Sequence, residues 1–179
     1  MNEKNILNGE ALCQECGLCC QGVFHSYVRL LDDEVSIIEK TNINVQFDQE
    51  EKFSFFTLAC LAFDGHCSIY QERPSTCSKH RCELLQSIIQ EEIEIQDALM
   101  IVDKMKFLLD EFLPELKHLC DNKKTNFPPQ LMDIIFDSFE EGKTKEEFKK
   151  DHKKLFMKIA VFGFLKNKYF YKNEQAKNL

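Results

Sequence analysis

At 179 residues, with 44% hydrophobic content, 16 phenylalanines and no tryptophan, the chain is long enough to bury a sizeable core and too apolar to be disordered. Its formal net charge of −7 argues against general nucleic-acid affinity. The charge is uneven: residues 1–83 hold 7 Lys+Arg against 13 Asp+Glu, residues 84–142 hold 5 against 13, and residues 143–179 hold 11 against 4, so only the last stretch is basic.

Residues 1–12 read as a polar lead-in with neither the basic nor the apolar region of a secretory signal. The longest apolar run, Ile159 to Leu165, is far short of the roughly 20 residues a membrane helix needs. The expectation is a soluble, cytoplasmic protein in a reducing compartment, where dense cysteines bind metal more often than they form disulfides. Next comes Cys13-Gln14-Glu15-Cys16-Gly17-Leu18-Cys19-Cys20, four thiols in eight residues. Phe24 to Leu30 has strand character. Asp32 or Asp33 is the expected N-cap of a short helix with Val35 and Ile38 inward. Residues 43–52 read as loop and Phe53 to Leu61 as a second strand, closed by a turn at Asp64-Gly65. Arg73 before Pro74 is forced to stay extended, which makes residues 70–76 an ordered bend delivering Cys77 and Cys82.

From Leu84 the pattern changes. Leu85, Ile88, Ile89, Glu92, Ile95, Leu99, Val102, Met105, Leu109, Phe112, Leu116 and Leu119 recur at three- and four-residue steps, the face of one long amphipathic helix with a single Glu interrupting the stripe, which Pro114 should kink or break. Pro128-Pro129 suits the first turn of a second helix that stops at Gly142. Thr144-Lys145-Glu146-Glu147 is a capping box opening a third, whose face carries Phe148, His152, Leu155, Ile159 and Phe162. The predicted fold is mainly α. An irregular, metal-stapled N-terminal region with short strands (residues 1–83) packs on an antiparallel helical region (residues 84–179), as one merged domain. On this reading ions rather than apolar burial fix the front of the molecule.

Eight of the nine cysteines lie in the first 82 residues. A cysteine pair two residues apart can turn both sulfurs toward one cation, and Gly17 permits the tight backbone that brings Cys19 round. Thiolates at this density repel each other and oxidise unless a cation neutralises them. The candidate ligands are Cys13, Cys16, Cys19, Cys20, Cys60, Cys67, Cys77 and Cys82, as two groups of four. Neighbouring Cys19 and Cys20 point opposite ways in extended backbone, which favours two metal centres or one centre with a spare thiol beside it. Two closed zinc sites, an iron–sulfur cluster with a zinc, and a binuclear site all satisfy the count. Two such centres need cations nearby, and Arg73, fixed by Pro74, is the one expected to sit beside the sulfurs without ligating, with Lys79 and Arg81 also in reach. His25, His66 and His80 lie close in sequence but are dispensable as ligands, because enough cysteines exist without them. Cys120 reads as an ordinary buried side chain.

The pattern Cys13-x2-Cys16-Gly17-x-Cys19-Cys20, followed by Cys60-x6-Cys67-Ser68-Ile69-Tyr70-Gln71-Glu72-Arg73-Pro74-x2-Cys77, resembles the CxxCxxCC family of zinc- or iron-chelating domains, the YkgJ-type cysteine-cluster proteins. The resemblance covers about residues 13–82. It implies a bacterial cytoplasmic metal-binding domain whose cysteines chelate zinc or iron. One branch of that family contains flagellin lysine N-methylases, which are longer chains, and this sequence has no G-x-G arrangement to cradle a nucleotide-type cofactor. Where many relatives carry an arginine after Cys77, this chain has Ser78, which leaves Lys79 or Arg81 to supply that charge. Two functions follow. One is a metal-binding module serving a protein partner or substrate. The other is an enzyme, lysine N-methylase-like or a redox catalyst at an iron–sulfur centre.

Overall fold

The structure, a computed structural model, describes residues 3–120, 128–137 and 144–171. Among these, Glu10–Arg81 form one compact unit, and residues 3–9, 82–120, 128–137 and 144–171 form another. The described residues contain eight α-helices and a three-stranded antiparallel sheet, so the chain is mainly helical with its strands in the N-terminal region. No helix among them is long and apolar enough to cross a membrane.

The first element, whose residues 3–9 belong to the helical unit and whose remainder belongs to the N-terminal unit, corrects an expectation. The polar lead-in is helical: α1 runs Glu3–Cys16, so the first two cysteines of the motif sit on its last turn rather than in a loop. Its polar composition hid it, because the helix has no clean apolar stripe to read. The sheet has the order β1 (Tyr27–Leu30), β3 (Phe53–Thr57), β2 (Gln46–Asp48), with Val28 opposite Phe56 and Phe47 opposite Ser54. β2 falls inside the stretch expected to be loop, and β3 ends four residues before the predicted limit at Leu61. β1 alternates, burying Val28 and Leu30 and turning Tyr27 and Arg29 outward. On the outer face the Arg29 guanidinium lies 4.5 Å from the Phe53 ring centre, and Tyr27 stacks on the same ring at 5.8 Å.

Between β1 and β2, helix α2 (Asp32–Glu39) is capped at Leu31 and not at an aspartate. Asp32 and Asp33 instead occupy the first turn, where the helix dipole favours acids, and the Glu34 carboxylate accepts from the Leu31 N–H at 2.9 Å. Val28, Leu30, Ile38, Ile43, Phe56, Leu58 and Ala62 make a buried apolar cluster, and Cys60 and Cys77 pack against it. Apolar burial therefore shares with any bound ion the task of fixing this unit, more than the sequence suggested.

The helical unit holds α4 (Glu83–Ile89), α5 (Ile95–Leu119), α6 (Pro128–Asp137), α7 (Lys145–Asp151) and α8 (Lys153–Tyr169), with α3 (Ser75–Lys79) belonging to the first unit. The single long helix expected from Leu84 is two. It breaks at Glu91, whose φ of 63° is left-handed. Glu91, Glu92 and Glu94 carry no glycine or proline signal, but their charges disfavour a helix C-terminus and favour the N-terminus that follows. Pro114 does not end α5, which continues to Leu119. Ala98, Val102, Met105, Leu109, Phe112 and Leu116 line its buried face. Phe112 meets Phe162 of α8 edge to face at 5.2 Å, and Lys158 of α8 pairs with Glu111 at 2.9 Å.

Cys120 is buried, and its thiol donates to the Leu131 carbonyl oxygen at 3.1 Å, an ordinary core position. Pro128 opens α6 as expected, while the stop at Gly142 lies outside the described residues. The capping box at Thr144 forms, with the Glu147 N–H donating to Thr144 Oγ1 at 3.2 Å and the Thr144 N–H to the Glu147 carboxylate at 3.0 Å. The helix it opens is interrupted at His152, where φ is −106° and ψ 34°, which separates α7 from α8.

Gly17, at φ +63°, ends α1 and turns the chain back, and a Cβ built there would run into the Phe63 ring. Gly17→Ala should cost at least about 1–2 kcal/mol from the left-handed backbone alone. Urea unfolding of the variant checks this, and an unchanged midpoint would show that the turn is not as tight as described.

Candidate metal centre

Three short segments deliver the sulfurs. Cys13 and Cys16 lie one turn apart at the end of α1, and the Gly17 N–H closes that end on the Cys13 carbonyl at 3.4 Å. Backbone bonds from Gln21 N to Gly17 O (2.9 Å), Gly22 N to Cys19 O (3.0 Å) and Val23 N to Leu18 O (3.0 Å) then fold the following loop on itself around the buried Leu18, presenting Cys19 and Cys20. The second segment is tied to the first directly, because the Cys60 N–H donates to the Cys20 carbonyl at 2.8 Å. Beyond it, Phe63 and Cys67 pair as an antiparallel bridge around the turn at Gly65, and both the N–H and the hydroxyl of Ser68 donate to Ala62 O. The third segment is α3, carrying Cys77. It is pinned by Thr76 Oγ1 donating to Arg29 O at 2.6 Å and by the Ser75 N–H donating to Glu34 Oε1 at 2.6 Å. Burial alone would raise the Glu34 pKa, but the hydrogen bonds from Leu31 and Ser75, with the charge of Lys79, outweigh it and hold the carboxyl below its ordinary value.

The three segments meet around a cavity of about 190 Å³ lined by Cys13, Cys19, Cys20, Cys60, Cys67 and Cys77, together with His25, His80, Tyr70, Arg73 and apolar side chains that include Phe56, Phe63 and Ile69. Six of the eight sequence-designated cysteines are thus brought together. Cys16 is half-buried and does not line this cavity, and Cys82 is the N-cap of α4 in the helical unit. His66 is exposed and also lies off the cavity.

The two histidines on the cavity wall carry little signal in the sequence. One sits five residues past the octet and the other between Cys77 and Cys82, with no spacing of their own to mark them. The structure brings a ligand atom from each of Cys19, His25 and His80 within 4.8 Å of one another. Burial, with Arg81 beside it, holds His80 below the ordinary imidazole value, in the neutral form that can ligate.

Charge in the cavity is unbalanced. Burial, and then the neighbouring thiols Cys67, Cys77, Cys60 and Cys13, push Cys20 up to about 12. Burial, with Cys60 and Cys67 next in effect, pushes Cys77 up to about 12 as well. Cys60 is raised by burial against a hydrogen bond from the Ala62 backbone, and Cys13 is raised by burial against Arg73 and Arg81. Arg73 is where the sequence put it: its backbone is extended (φ −61°, ψ 145°), its guanidinium lies 3.5 Å from the Tyr70 ring centre, and one Nη donates to Tyr70 O at 3.2 Å. Its Nε is buried with no hydrogen-bond partner among the described residues. Of the two cations left to compensate for Ser78, Arg81 acts on Cys13 and Lys79 on Glu34.

These residues fit a thiophilic cation. The donors are sulfur with imidazole, the set that zinc and iron take from proteins. The cavity walls are largely apolar, and there Cys13, Cys20, Cys60 and Cys77 favour the protonated thiol. A bound divalent ion or cluster supplies the positive charge that lets them ionise there.

Fold and site together define a cysteine-cluster, metal-chelating domain joined to a helical unit. The sequence matches the CxxCxxCC family, described as a zinc- or iron-chelating domain, over residues 12–101, and the chain belongs to that family. No curated protein and no solved structure matches it.

The thiol shifts carry a sign that can be measured. In the metal-free protein Cys20 and Cys77 move from an ordinary 9.0 to about 12, so folding favours the protonated thiol. That contribution to stability is complete below pH 9.0 and is lost as pH rises toward 12. Urea midpoints of the reduced, metal-free protein should fall across this window, and the Cys20→Ser/Cys77→Ser double variant should show a smaller fall. Equal slopes in the two proteins would refute the assignment.

Proposed function

We propose that the protein is a cytoplasmic metal-binding protein that holds zinc or an iron–sulfur centre in the cysteine cavity and serves a protein partner or substrate through its helical unit. The observation that carries this reading is the meeting of six cysteines from three separate segments on one enclosure. A core that needed only apolar packing gains nothing from six thiols at one place, since each side chain there is smaller than the leucine or isoleucine that would fill the space. Cys13, Cys20, Cys60 and Cys77 each feel the charge of neighbouring thiols, Cys67 among them, a mutual repulsion that a shared cation would relieve. Arg73, buried against Tyr70, is proposed to stand beside the sulfurs as a counter-charge and not as a ligand.

The role for a partner is supported by apolar side chains left exposed on the helical unit. Met157, Val161 and Phe164 of α8 are 58%, 46% and 66% exposed and follow helical spacing. On α5, Met100 and Phe107 stand seven residues apart with 62% and 64% exposure.

Anaerobic purification followed by elemental analysis tests the metal assignment. A colourless preparation with zinc identifies structural or exchangeable zinc, and a brown one bleached by dithionite identifies iron–sulfur. Cys20→Ser and Cys77→Ser should each lose most of the bound metal, whereas Cys120→Ser should keep all of it. Full metal content in both cavity variants would overturn the proposal.

A further inference from the structure

The cavity contains two kinds of donor, and they are separated by the chain itself. Cys20 has Cys67, Cys77, Cys60 and Cys13 as its electrostatic neighbours. Its sequence neighbour Cys19 has its sulfur within 4.8 Å of ring nitrogens of both His25 and His80. Cys19 and Cys20 both border the cavity but have different neighbours there. The Cys60–Cys20 backbone bond and the Gly22–Cys19 bond hold the dipeptide in place.

We propose that Cys19, His25 and His80 form a second metal site, of mixed nitrogen and sulfur character, that binds a divalent transition ion such as zinc with three protein donors. The inference rests on the metal-binding reading above and assigns part of it to residues outside the cysteine motif. Three contributing points of chain converge: the loop after α1, the residue two before β1, and the C-cap of α3. The two imidazole rings meet edge to face, with centres 5.2 Å apart and planes at 86°. An edge-to-face pair alone would be packing. Here the pair borders a cavity on which a thiol and both rings open together, and that combination is what a shared ion requires. Around a tetrahedral ion with bonds of about 2.0–2.3 Å the ligand atoms stand about 3.3–3.8 Å apart, so separations within 4.8 Å close by side-chain rotation without moving the backbone.

The number of donors sets the chemistry. A closed structural zinc site has four protein ligands, and a site with three leaves its fourth position to water or to an exogenous small ligand. His80 lies at the exposed edge of the cluster and Cys19 and His25 are half-buried, so solvent reaches that position from the His80 side. The proposed site is therefore exchangeable.

The test uses the full chain, purified anaerobically, stripped and reloaded with zinc, and read by X-ray absorption at the zinc edge alongside metal content. Wild type should show a sulfur shell near ~2.3 Å and a nitrogen shell near ~2.0 Å. His25→Ala/His80→Ala should keep the sulfur shell, lose the nitrogen shell and bind one zinc fewer per chain. His80→Ala alone, a change at an exposed position, serves where the double variant does not fold, and it should weaken the nitrogen shell. With cobalt(II) in place of zinc, azide should shift the visible spectrum of wild type but not of the variant. A wild-type spectrum with sulfur only, or a variant that keeps the nitrogen shell, overturns the mixed site and leaves the cysteine assignment standing. Absence of both shells overturns the cysteine assignment itself.

Discussion

Thiols gathered inside a protein are stable only as neutral groups or as ligands. Burial penalises each thiolate, and every additional sulfur raises the penalty for the rest, which drives Cys20 and Cys77 up to about 12. The structure nevertheless assembles six of them, and spends specific hydrogen bonds to do so: Cys60 N to Cys20 O, Thr76 to Arg29, and Ser75 to Glu34. The arrangement makes sense as half of an interaction whose other half is a positive ion. Arg73 lines the same cavity, and its buried Nε has no hydrogen-bond partner among the described residues.

Around this constraint the N-terminal unit is built twice over. Its sheet and α2 enclose a small apolar cluster, and Cys60 and Cys77 form part of the wall between that cluster and the cavity. The cavity and the apolar core are therefore coupled through the same side chains. Removal of the ion should loosen the cysteine loops first, where local backbone bonds hold the chain, and leave the sheet to its own contacts.

How much of this could be read from the sequence depended on whether a feature was local. The Thr144 capping box, the proline at the start of α6, the extended Arg73 and the turn at Gly65 are set by one to four residues, and each is found where the sequence placed it. The interruption at Glu91 was not legible, because no glycine or proline marks it, and of the two outcomes expected at Pro114 the break does not occur, since α5 runs on to Leu119 with Phe112 packed on Phe162. Helix α1 was missed because its apolar periodicity is weak. At the site, the cysteines announced themselves by density, whereas His25 and His80 come together only because α3 docks on β1 through Thr76, a relation between positions 47 residues apart.

The central claim is that the cavity sulfurs are held as ligands rather than as free thiols, and differential alkylation followed by peptide mass spectrometry measures it most directly. In anaerobically purified protein Cys13, Cys20, Cys60, Cys67 and Cys77 should label slowly, then rapidly once a strong chelator is added, while the labelling of buried Cys120 stays unchanged. Identical labelling rates with and without the chelator would contradict the account.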